Sequence, residues 1–447
     1  MTKTHTFALV THGCKVNQYE SHSLREAWTA RGLIETGVAD AQTVCINTCA
    51  VTAGATADAR AAVRRAHREN PDAAILVTGC SAQAMGKEFW RMDGVTMVVP
   101  QRQKTCLLRS GETLLPGGCM HEDCGGDAAT PVYPPFTIME YDRSRAVLKA
   151  QDGCSHRCTY CIVPLTRGPS RSRKPAETVA EARRLLEAGF RELVLNGINL
   201  AQYGRDFADA HDFWDLAALL ERELAPEWSG TARIRLSSLE PGQLDRKALD
   251  TLGDSALIAP HLHISLQSGS GKVLRRMGRG HYAPDVLHGF CEDLRDAFPR
   301  FGLGADILSG FPGETEADAS ETEALCRAVP FTYAHVFPYS RRPGTPAATW
   351  PDQVDPDVRK ERAARLRDIF AAKKEAFLTE CLDLPSVCVA CESATDAEGR
   401  PVGGVNEFYG DCRFAPGAAP EPAAHRCLVS ARPVRVSDGH LEVEAVL

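Results

Sequence analysis

Residues 151–161 have the sequence QDGCSHRCTYC, which gives Cys154, Cys158 and Cys161 the spacing C-x3-C-x2-C. The triplet directly follows a short apolar run, Ala146–Ala150, which predicts a β-strand. Thiolates are the usual ligands of iron–sulfur clusters, and three of them hold three irons of a four-iron cluster and leave the fourth iron open. Structural zinc is the alternative, but zinc usually takes C-x2-C pairs with a fourth Cys or His nearby, and His156 lies inside the triplet. We therefore predict a four-iron cluster at this loop.

Strands and helices alternate on the C-terminal side of this loop. Short β-branched runs predict strands, and the longer runs of helical period between them predict helices. Six βα units with this spacing predict a full or partial barrel with its active groups at the carboxyl ends of the strands. The predicted strands are Ala146–Ala150, Glu192–Asn196, Arg233–Ser237, His261–Leu266, Gly304–Leu308 and Tyr333–Pro338, and the predicted helices are Ala176–Ala188, Phe213–Leu224, Gln243–Leu252, Pro284–Phe298 and Glu316–Ala328.

The N-terminal residues alternate in the same way, which predicts a Rossmann-like parallel sheet. Strands are expected at Phe7–Thr11, Thr43–Ile46, Ala74–Thr78 and Val95–Val99, and helices at Asn17–Arg31, Thr52–Glu69 and Ala82–Arg91. Three further cysteines, Cys14, Cys49 and Cys80, each follow a predicted strand at a strand-to-helix turn. Because such turns cluster at one edge of a parallel sheet, we expect the three thiols to converge. Three separate structural cysteines, buried individually, are the alternative.

The sequence divides into four segments of different composition. Residues 1–110 form the N-terminal domain, and residues 111–142, rich in Gly, Pro, Asp and Ala, form a linker. Residues 143–380 form the barrel and end in a long charged helix, Val358–Cys381. In residues 381–447 short strand-like runs predict a small β-barrel, at Ser386–Cys391, Arg426–Ala431 and His440–Val446. The predicted fold class is α/β, with a Rossmann-like sheet, a partial (β/α)6 barrel and a small C-terminal β-barrel.

The composition indicates the cellular compartment and the classes of partner to expect. No apolar run approaches the ~20 residues that span a bilayer, and Phe7–Val10 is too short for a signal-peptide core. We therefore expect a cytoplasmic protein that does not bind membranes, in which the 17 cysteines are metal ligands or thiols rather than disulfides. The net charge of −7 does not favour general nucleic-acid binding, so any RNA contact would come from local basic patches. Eleven cysteines receive no role, including the C-x2-C pair Cys388 and Cys391, and Cys119 and Cys124 in the linker.

The residues after the triplet, Ile162–Gly168 and Ser170–Arg173, resemble the radical-SAM core of the methylthiotransferase family. The resemblance covers nearly the whole chain, including the segments around the first three cysteines, Gly13–Gln18, Ile46–Val51 and Thr78–Gln83. It implies that the chain binds two [4Fe–4S] clusters. The triplet would hold the radical-SAM cluster, and Cys14, Cys49 and Cys80 would hold an auxiliary cluster that also has one open iron.

The same resemblance implies an S-adenosyl-L-methionine site at the ends of the barrel strands. Asn196 and Gly197 would lie at the turn that accepts the methionine amino group, and Glu240 would accept hydrogen bonds from the ribose hydroxyls. Gln267 would face the cavity mouth, and Gly304–Glu314 would pack on the adenine. An ordinary strand-ending turn and a surface glutamate are the alternative interpretations of the first two positions.

Basic residues follow several of the predicted strands and would neutralise RNA phosphates there. They are Arg167, Arg171, Arg173 and Lys174, then Arg275, Arg276 and Arg279, then Arg341 and Arg342. Ordinary solvated arginines are the alternative. The C-terminal domain resembles the family's TRAM-like RNA-binding module at Gly403–Tyr409, but from Glu380 onward it has five Arg, no Lys and eleven acidic residues.

Two segments, Lys15–Glu20 and His335–Thr345, most resemble the branch that acts on N6-threonylcarbamoyladenosine in tRNA. The resemblance implies methylthiolation of adenine C2 at position 37, next to the anticodon. One S-adenosylmethionine would give the methyl group, and a second, cleaved reductively, would give a 5′-deoxyadenosyl radical. Arg341 or Arg342 would pair with the carboxylate of the substrate. The implied partners are tRNA, an electron donor such as flavodoxin or ferredoxin, and a sulfur donor.

Three alternative functions remain open at this point. Other branches of the family act on isopentenyladenosine in tRNA or on an aspartate of a ribosomal protein, and they would share both clusters. A two-cluster electron carrier without enzymatic activity is the alternative from another class. No catalytic acid or base is predicted.

Overall fold

The N-terminal residues form a five-stranded parallel sheet flanked by helices. A computed structural model of the protein describes residues 5–109, 132–421 and 426–446. The strands are β1 (Thr6–Thr11), β2 (Ile34–Glu35), β3 (Thr43–Thr48), β4 (Ala74–Gly79) and β5 (Val95–Pro100), in the order β2-β1-β3-β4-β5. The helices are α1 (Lys15–Thr29), α2 (Ala53–Glu69) and α3 (Cys80–Phe89). The predicted parallel sheet is confirmed, and only the two-residue strand β2 was not expected.

The core of this sheet is formed by branched side chains of the central strands and small side chains of α2. Val44 and Ile46 of β3 pack in one buried cluster with Ala59 and Val63 of the helix. Alanine on the buried face lets the helix lie close to the sheet, and Thr52 caps its first turn by accepting a hydrogen bond from the Ala55 amide. The carboxyl ends of the strands are thereby fixed next to one another.

The chain folds into two compact units, each assembled from several stretches of sequence. Unit 1 comprises Met1–Met139, Gln151–Ser172 and Ser340–Thr349, and unit 2 comprises Glu140–Ala150, Arg173–Tyr339 and Trp350–Leu447. The chain enters unit 2 at β6 (Arg145–Lys149) and returns to unit 1 for β7 (Gln151–Asp152), α4 (Val163–Arg167) and β8 (Arg171–Ser172). The domain boundaries drawn from the sequence remain predictions.

The predicted linker falls largely outside the described residues, which omit 110–131 and with them Cys119 and Cys124. Residues 132–144 are described and contain no helix or strand.

Unit 2 contains the six parallel strands of the predicted partial barrel, which confirms that part of the fold. They are β6, β9 (Glu192–Asn196), β10 (Arg233–Leu236), β11 (His261–Gln267), β12 (Gly302–Ser309) and β13 (Tyr333–Pro338). They form two three-stranded sheets, β10-β9-β6 and β11-β12-β13, joined by an isolated parallel bridge between Leu239 and Ile264. The accompanying helices are α5 (Pro175–Glu187), α6 (Phe213–Trp228), α7 (Arg246–Gly253), α8 (Gly271–Met277), α9 (Val286–Ala297) and α10 (Glu316–Ala328).

The C-terminal residues of unit 2 form a long helix and a closed five-stranded barrel, as predicted. The helix is α11 (Pro356–Glu380), and the strands are β14 (Val387–Cys391), β15 (Gly403–Val405), β16 (Asp411–Phe414), β17 (Leu428–Ser437) and β18 (His440–Ala445). Their order in the barrel is β14-β15-β16-β18-β17, around a core that includes Val389, Ala431 and Leu441. No helix in the described parts of the chain is both long enough and apolar enough to cross a membrane.

Candidate metal-binding sites

The first three cysteines lie at the carboxyl ends of three adjacent strands. Cys14 follows β1 and caps α1, Cys49 follows β3, and Cys80 begins α3 directly after β4. Because β1, β3 and β4 are neighbours in the sheet, their terminal turns are neighbours too. The convergence predicted from the sequence is therefore present in the fold.

Two contacts show how closely these turns approach. Gly13 has a φ of +98°, and a Cβ atom at this position would lie 2.4 Å from Cys49 Cβ and 2.9 Å from Cys49 Sγ. Only glycine fits this backbone conformation at such a short distance. On the other side of Cys49, the Ser81 hydroxyl donates a hydrogen bond of 2.5 Å to its carbonyl oxygen. The turn that carries Cys49 is thus in contact with the turns that carry Cys14 and Cys80.

Burial sets the acid–base state of two of these thiols, Cys49 and Cys80. Burial, together with the neighbouring Cys14 and Cys80 sulfurs, raises the pKa of Cys49 to about 11. Burial likewise raises the pKa of Cys80, although the cations of Arg167 and Lys104 act in the opposite direction. Both groups are therefore protonated thiols at neutral pH, and a metal that binds them must displace their protons.

The second set of cysteines lies in the loop that β7 and β8 close. These two strands pair antiparallel, with Gln151 opposite Ser172, and the Cys154 amide donates to the Gly168 carbonyl at 3.0 Å. A second turn is closed by a hydrogen bond of 3.0 Å from the Cys161 amide to the Cys158 carbonyl. Cys158 is buried, whereas Cys154 and Cys161 are half-buried. The loop thus holds three sulfurs in a compact, hydrogen-bonded turn.

Both sets of cysteines belong to unit 1, and a buried ion network joins the elements that carry them. Arg167, at the end of α4 after the triplet, donates to Glu20 Oε1 at 2.8 Å and to Asp152 Oδ1 at 2.9 Å. It also donates to Asn17 Oδ1 at 2.7 Å, on the first turn of the helix that Cys14 caps. The guanidinium group therefore bridges the helix after Cys14 and the residues on either side of the triplet.

A second buried cation completes this network. Lys104 Nζ lies 2.6 Å from Glu20 Oε2 and 2.9 Å from Asn47 Oδ1, two residues before Cys49. The side chains of all four charged groups are at most 1% exposed, and two cations face two carboxylates. Buried charges are stable only when they are paired and hydrogen-bonded, and this network meets both conditions.

The donor atoms of the two sites suit iron–sulfur clusters. Each set offers three cysteine sulfurs, and thiolate sulfur is the usual ligand of such clusters. Arg167 and Lys104 lie near enough to Cys80 to affect its ionisation, and such cations would offset the negative charge of a thiolate-bound cluster. The residues present therefore fit the group that the sequence predicted.

The four residues assigned to S-adenosylmethionine all lie in unit 2, at the carboxyl ends of barrel strands. Asn196 is the last residue of β9 and is buried, Gly197 follows it, and Gln267 ends β11 with a φ of +66°. Glu240 lies in the turn after β10 and is 5% exposed. Their roles remain predictions.

Glu240 is held by three neighbouring side chains of the same unit. Its Oε1 accepts a hydrogen bond from Asn199 at 3.0 Å and lies 3.2 Å from the Arg279 guanidinium. Its Oε2 lies 3.1 Å from His281 Nε2. The carboxylate is therefore a fixed acceptor rather than the surface glutamate of the alternative interpretation.

The predicted phosphate contacts are wrong for four of the nine basic residues, because the structure buries them. Arg167 pairs with Glu20 and Asp152, and Arg173 pairs with Glu181 at 2.6 Å. Buried guanidinium groups that are already paired cannot bind phosphate at the surface. The buried members are Arg167, Arg173, Arg279 and Arg342, and the exposed members are Lys174, Arg275 and Arg341.

Comparison with known proteins agrees with the organisation of the chain. Residues 148–326 match the model of the radical SAM superfamily, and residues 6–100 match that of the uncharacterized protein family UPF0004. A solved structure of the radical S-adenosylmethionine methyltransferase TsrM from Kitasatospora setae matches with a TM-score of 0.57 and 16% identity, over 77% of this chain and 75% of that one. At this identity the likeness concerns the fold alone.

Curated relatives are much more similar in sequence. The threonylcarbamoyladenosine tRNA methylthiotransferase MtaB of Bacillus subtilis (strain 168) is 39% identical over 363 residues, which are 81% of this chain and 79% of the relative. The protein of the same name from Rickettsia prowazekii (strain Madrid E) is 39% identical over 83% of this chain and 84% of the relative. Identity at this level extends over both units, so the chain belongs to the radical-SAM methylthiotransferase family.

Proposed function

We propose that this enzyme adds a methylthio group to C2 of the adenine in N6-threonylcarbamoyladenosine at position 37 of tRNA. The observation that carries the proposal is that two separate sets of three thiols lie in one compact unit, with Arg167 hydrogen-bonded to elements of both. A methylthio transfer needs sulfur insertion and methyl transfer at one substrate, and two clusters held in one compact unit serve that need. The nucleoside follows from the names of relatives that are 39% identical.

Enzymes of this family work with S-adenosylmethionine and [4Fe–4S] clusters. In our proposal Cys154, Cys158 and Cys161 hold the radical-SAM cluster. Cys14, Cys49 and Cys80 hold the auxiliary cluster. When bound, these groups supply the methyl group, the inserted sulfur and the radical that activates the adenine.

The contribution of the chain itself is to hold sulfur ligands in place and to limit the access of water. Cys49, Cys80 and Cys158 are each at most 8% exposed, so these ligands are shielded from solvent. Cys14 is exposed, which leaves an approach for the substrate to the first site. Asn196, Gly197, Glu240 and Gln267 would orient S-adenosylmethionine, with Glu240 pre-set as an acceptor by its three partners.

The proposal also requires partners. They are tRNA, an electron donor such as flavodoxin or ferredoxin, and a donor of sulfur, all of which a cytoplasmic enzyme would meet. Lys174, Arg275 and Arg341 are exposed, so their side chains can reach RNA phosphates. The acidic balance of the residues from Glu380 onward does not support electrostatic RNA binding by the C-terminal barrel.

The experiment that tests the proposal is an anaerobic assay with the reconstituted enzyme, S-adenosylmethionine and a reductant. Three substrates are compared: tRNA with threonylcarbamoyladenosine, tRNA with isopentenyladenosine, and a ribosomal protein that carries the target aspartate. Mass spectrometry of the products should find the methylthio group on threonylcarbamoyladenosine alone. Product on either of the other two would assign the enzyme to a different branch, and failure to form 5′-deoxyadenosine would support an electron carrier.

Cysteine variants separate the roles of the two sites. Cys154→Ser should abolish 5′-deoxyadenosine formation, whereas Cys80→Ser should retain it and lose the methylthio product. Cys427→Ser, a half-buried cysteine of unit 2, is the matched control and should behave as the unaltered enzyme. Equal activity of Cys80→Ser and the control would rule out the auxiliary site.

A further inference from the structure

Three side chains of metal-ligating type, none of them a cysteine, meet on adjacent barrel strands of unit 2. They are His263 on β11, Asp306 on β12 and His335 on β13. In the sheet β12 lies between the other two strands, with Gly304 opposite His263 and Asp306 opposite His335. Because residues two apart on a strand face the same side, the pairing directs all three side chains to one face.

The distances between their ligand atoms suit a single metal ion. His263 Nε2 lies 3.0 Å from Asp306 Oδ1, and His335 Nδ1 lies 3.3 Å from the same oxygen. One ligand atom from each residue lies within 4.8 Å of the others. Nitrogen and oxygen ligands bind zinc at about 2.0–2.2 Å, which places two of them roughly 3.3–3.6 Å apart in a tetrahedral site. The cluster therefore needs little rearrangement to hold an ion.

A second layer of residues orients His263 for this role. Its Nδ1 is 2.9 Å from Tyr333 Oη, and the same hydroxyl is 3.0 Å from His261 Nε2. A hydrogen bond at one ring nitrogen fixes the ring and directs the other nitrogen to a metal, which is the usual arrangement around ligating histidines.

The cluster is also accessible. The side chain of His335 is 54% exposed and that of Asp306 is 21% exposed. Tyr333 and His335 line a cavity of about 350 Å³, whose wall also includes Lys374 and Asp411. An ion could therefore enter and keep positions open for water or another ligand.

We infer that His263, Asp306 and His335 form a binding site for one divalent transition-metal ion of the zinc class. Two imidazoles and one carboxylate are ligands that zinc and similar ions accept, and three protein ligands leave coordination positions open. The site contains no cysteine and is therefore chemically distinct from the iron–sulfur sites. The competing interpretation is a hydrogen-bonded ion pair that binds no metal.

Zinc binding to the full-length protein tests this inference. The iron–sulfur clusters are assembled first under anaerobic conditions, so that the cluster thiols are occupied. Zinc is then titrated, and the bound zinc is measured by elemental analysis after gel filtration. We expect one zinc per chain, with a zinc-edge absorption spectrum that shows nitrogen and oxygen ligands and no sulfur.

Variants then locate the ion. His335→Ala, chosen because the side chain is largely exposed, should reduce zinc affinity at least about 100-fold, and Tyr333→Phe should reduce it about 10–100-fold. Asp306→Asn should also lose the site, and His288→Ala, an exposed histidine on α9, should bind zinc as the unaltered protein does. Equal zinc binding by His335→Ala and His288→Ala, sulfur in the spectrum, or no zinc bound at all would overturn the inference.

Discussion

At the scale of single residues, Arg167 is the central side chain of the buried ion network in unit 1. It is 2% exposed and reaches Asn17, Glu20 and Asp152, all within 2.9 Å. Lysine carries the same charge but lacks the planar fork of donors that makes several directed contacts at once. Arg167 therefore acts as a positioning residue for the loop that carries the triplet.

Replacement of Arg167 by alanine should destabilise unit 1 by roughly 3–5 kcal/mol, because it leaves two buried carboxylates with Lys104 as their only buried cation in the described network. Arg167→Lys should lose less, since the charge remains. The measurement is thermal and urea unfolding of the cluster-free chain, followed by iron content after reconstitution.

Arg102→Ala is the matched control for this change. Arg102 is exposed, although it contacts the same short helix through the carbonyls of Pro164 and Leu165 at 3.2–3.3 Å. Its loss should cost under about 1 kcal/mol. If Arg167→Ala unfolds no earlier than this control, the network does not stabilise the loop.

At the scale of elements, the turns after β1, β3 and β4 determine where the first three cysteines lie. At the turn after β1, the backbone conformation of Gly13 and its contact with Cys49 both exclude a side chain. The cysteine position therefore depends on a glycine that itself binds nothing.

Gly13→Ala should disrupt the auxiliary site and spare the triplet. The added methyl group meets Cys49 Cβ at 2.4 Å, and the positive φ adds about 1–3 kcal/mol of backbone strain. Iron content after reconstitution should fall from about eight to about four per chain, while reductive cleavage of S-adenosylmethionine continues. Gly37→Ala, which meets nothing within 4 Å, should retain all its iron, and full iron in Gly13→Ala would contradict the expectation.

Helices and strands with a clear hydrophobic period were predictable from the sequence, whereas short elements were not. The four longer strands of the first sheet and the six barrel strands follow runs of branched residues, and all of them are confirmed. Strand β15 contains Gly403 and Gly404, which favour turns in isolation. It joins the barrel because its backbone approaches a neighbouring strand so closely that a Cβ on Gly404 would lie 2.1 Å from the Ala390 carbonyl oxygen. Only the tertiary structure supplies that reason.

The residues of the candidate sites were likewise only partly predictable from the sequence. The six cysteines could be predicted because their spacing and their strand-end positions are local patterns. Glu20 and Lys104 could not, because their partners lie 147 and 84 residues away and charged residues on a helix usually face solvent. The sequence signal available for Asp152 was its position two residues before Cys154.

At the scale of the whole molecule, each unit is closed by contacts between distant parts of the chain. In unit 1 the Ala53 amide donates to Ser340 Oγ across 287 residues, and Arg342 donates to Thr56 Oγ1 across 286. Contacts of such high sequence separation close long loops, which costs chain entropy and requires the tertiary fold. The cysteine sites of unit 1 are therefore products of tertiary folding rather than of local sequence.

In unit 2 a buried carboxylate joins the partial barrel to the C-terminal barrel. Glu192 lies 2.5 Å from Arg233 Nε and 2.8 Å from Arg235 Nε. Arg233 also donates to the carbonyls of Cys388 and Val405, and Arg235 donates to those of Asn406 and Glu407. One side chain thus orients the two cations that bind the C-terminal barrel.

Glu192→Gln should destabilise unit 2 by about 3–5 kcal/mol at neutral pH, because it leaves buried arginines without their charge partner. Burial raises the pKa of Glu192, but Arg235 and Arg233 lower it more, to well below the ordinary value of 4.5. The contribution of the Glu192 carboxylate to the free energy of unfolding is therefore complete above pH 4.5. It is lost as the pH falls through the lower folded-state pKa, so the variant and the unaltered protein should converge in strong acid.

Glu392→Ala is the matched control, since Glu392 pairs with Arg145 at 2.8 Å but is 47% exposed, and it should cost under about 1 kcal/mol. Urea unfolding at several pH values measures the destabilisation by Glu192→Gln and by Glu392→Ala. Limited proteolysis should release the C-terminal barrel faster from Glu192→Gln than from the control. Equal rates of release would mean that the Glu192 carboxylate does not hold the two barrels together.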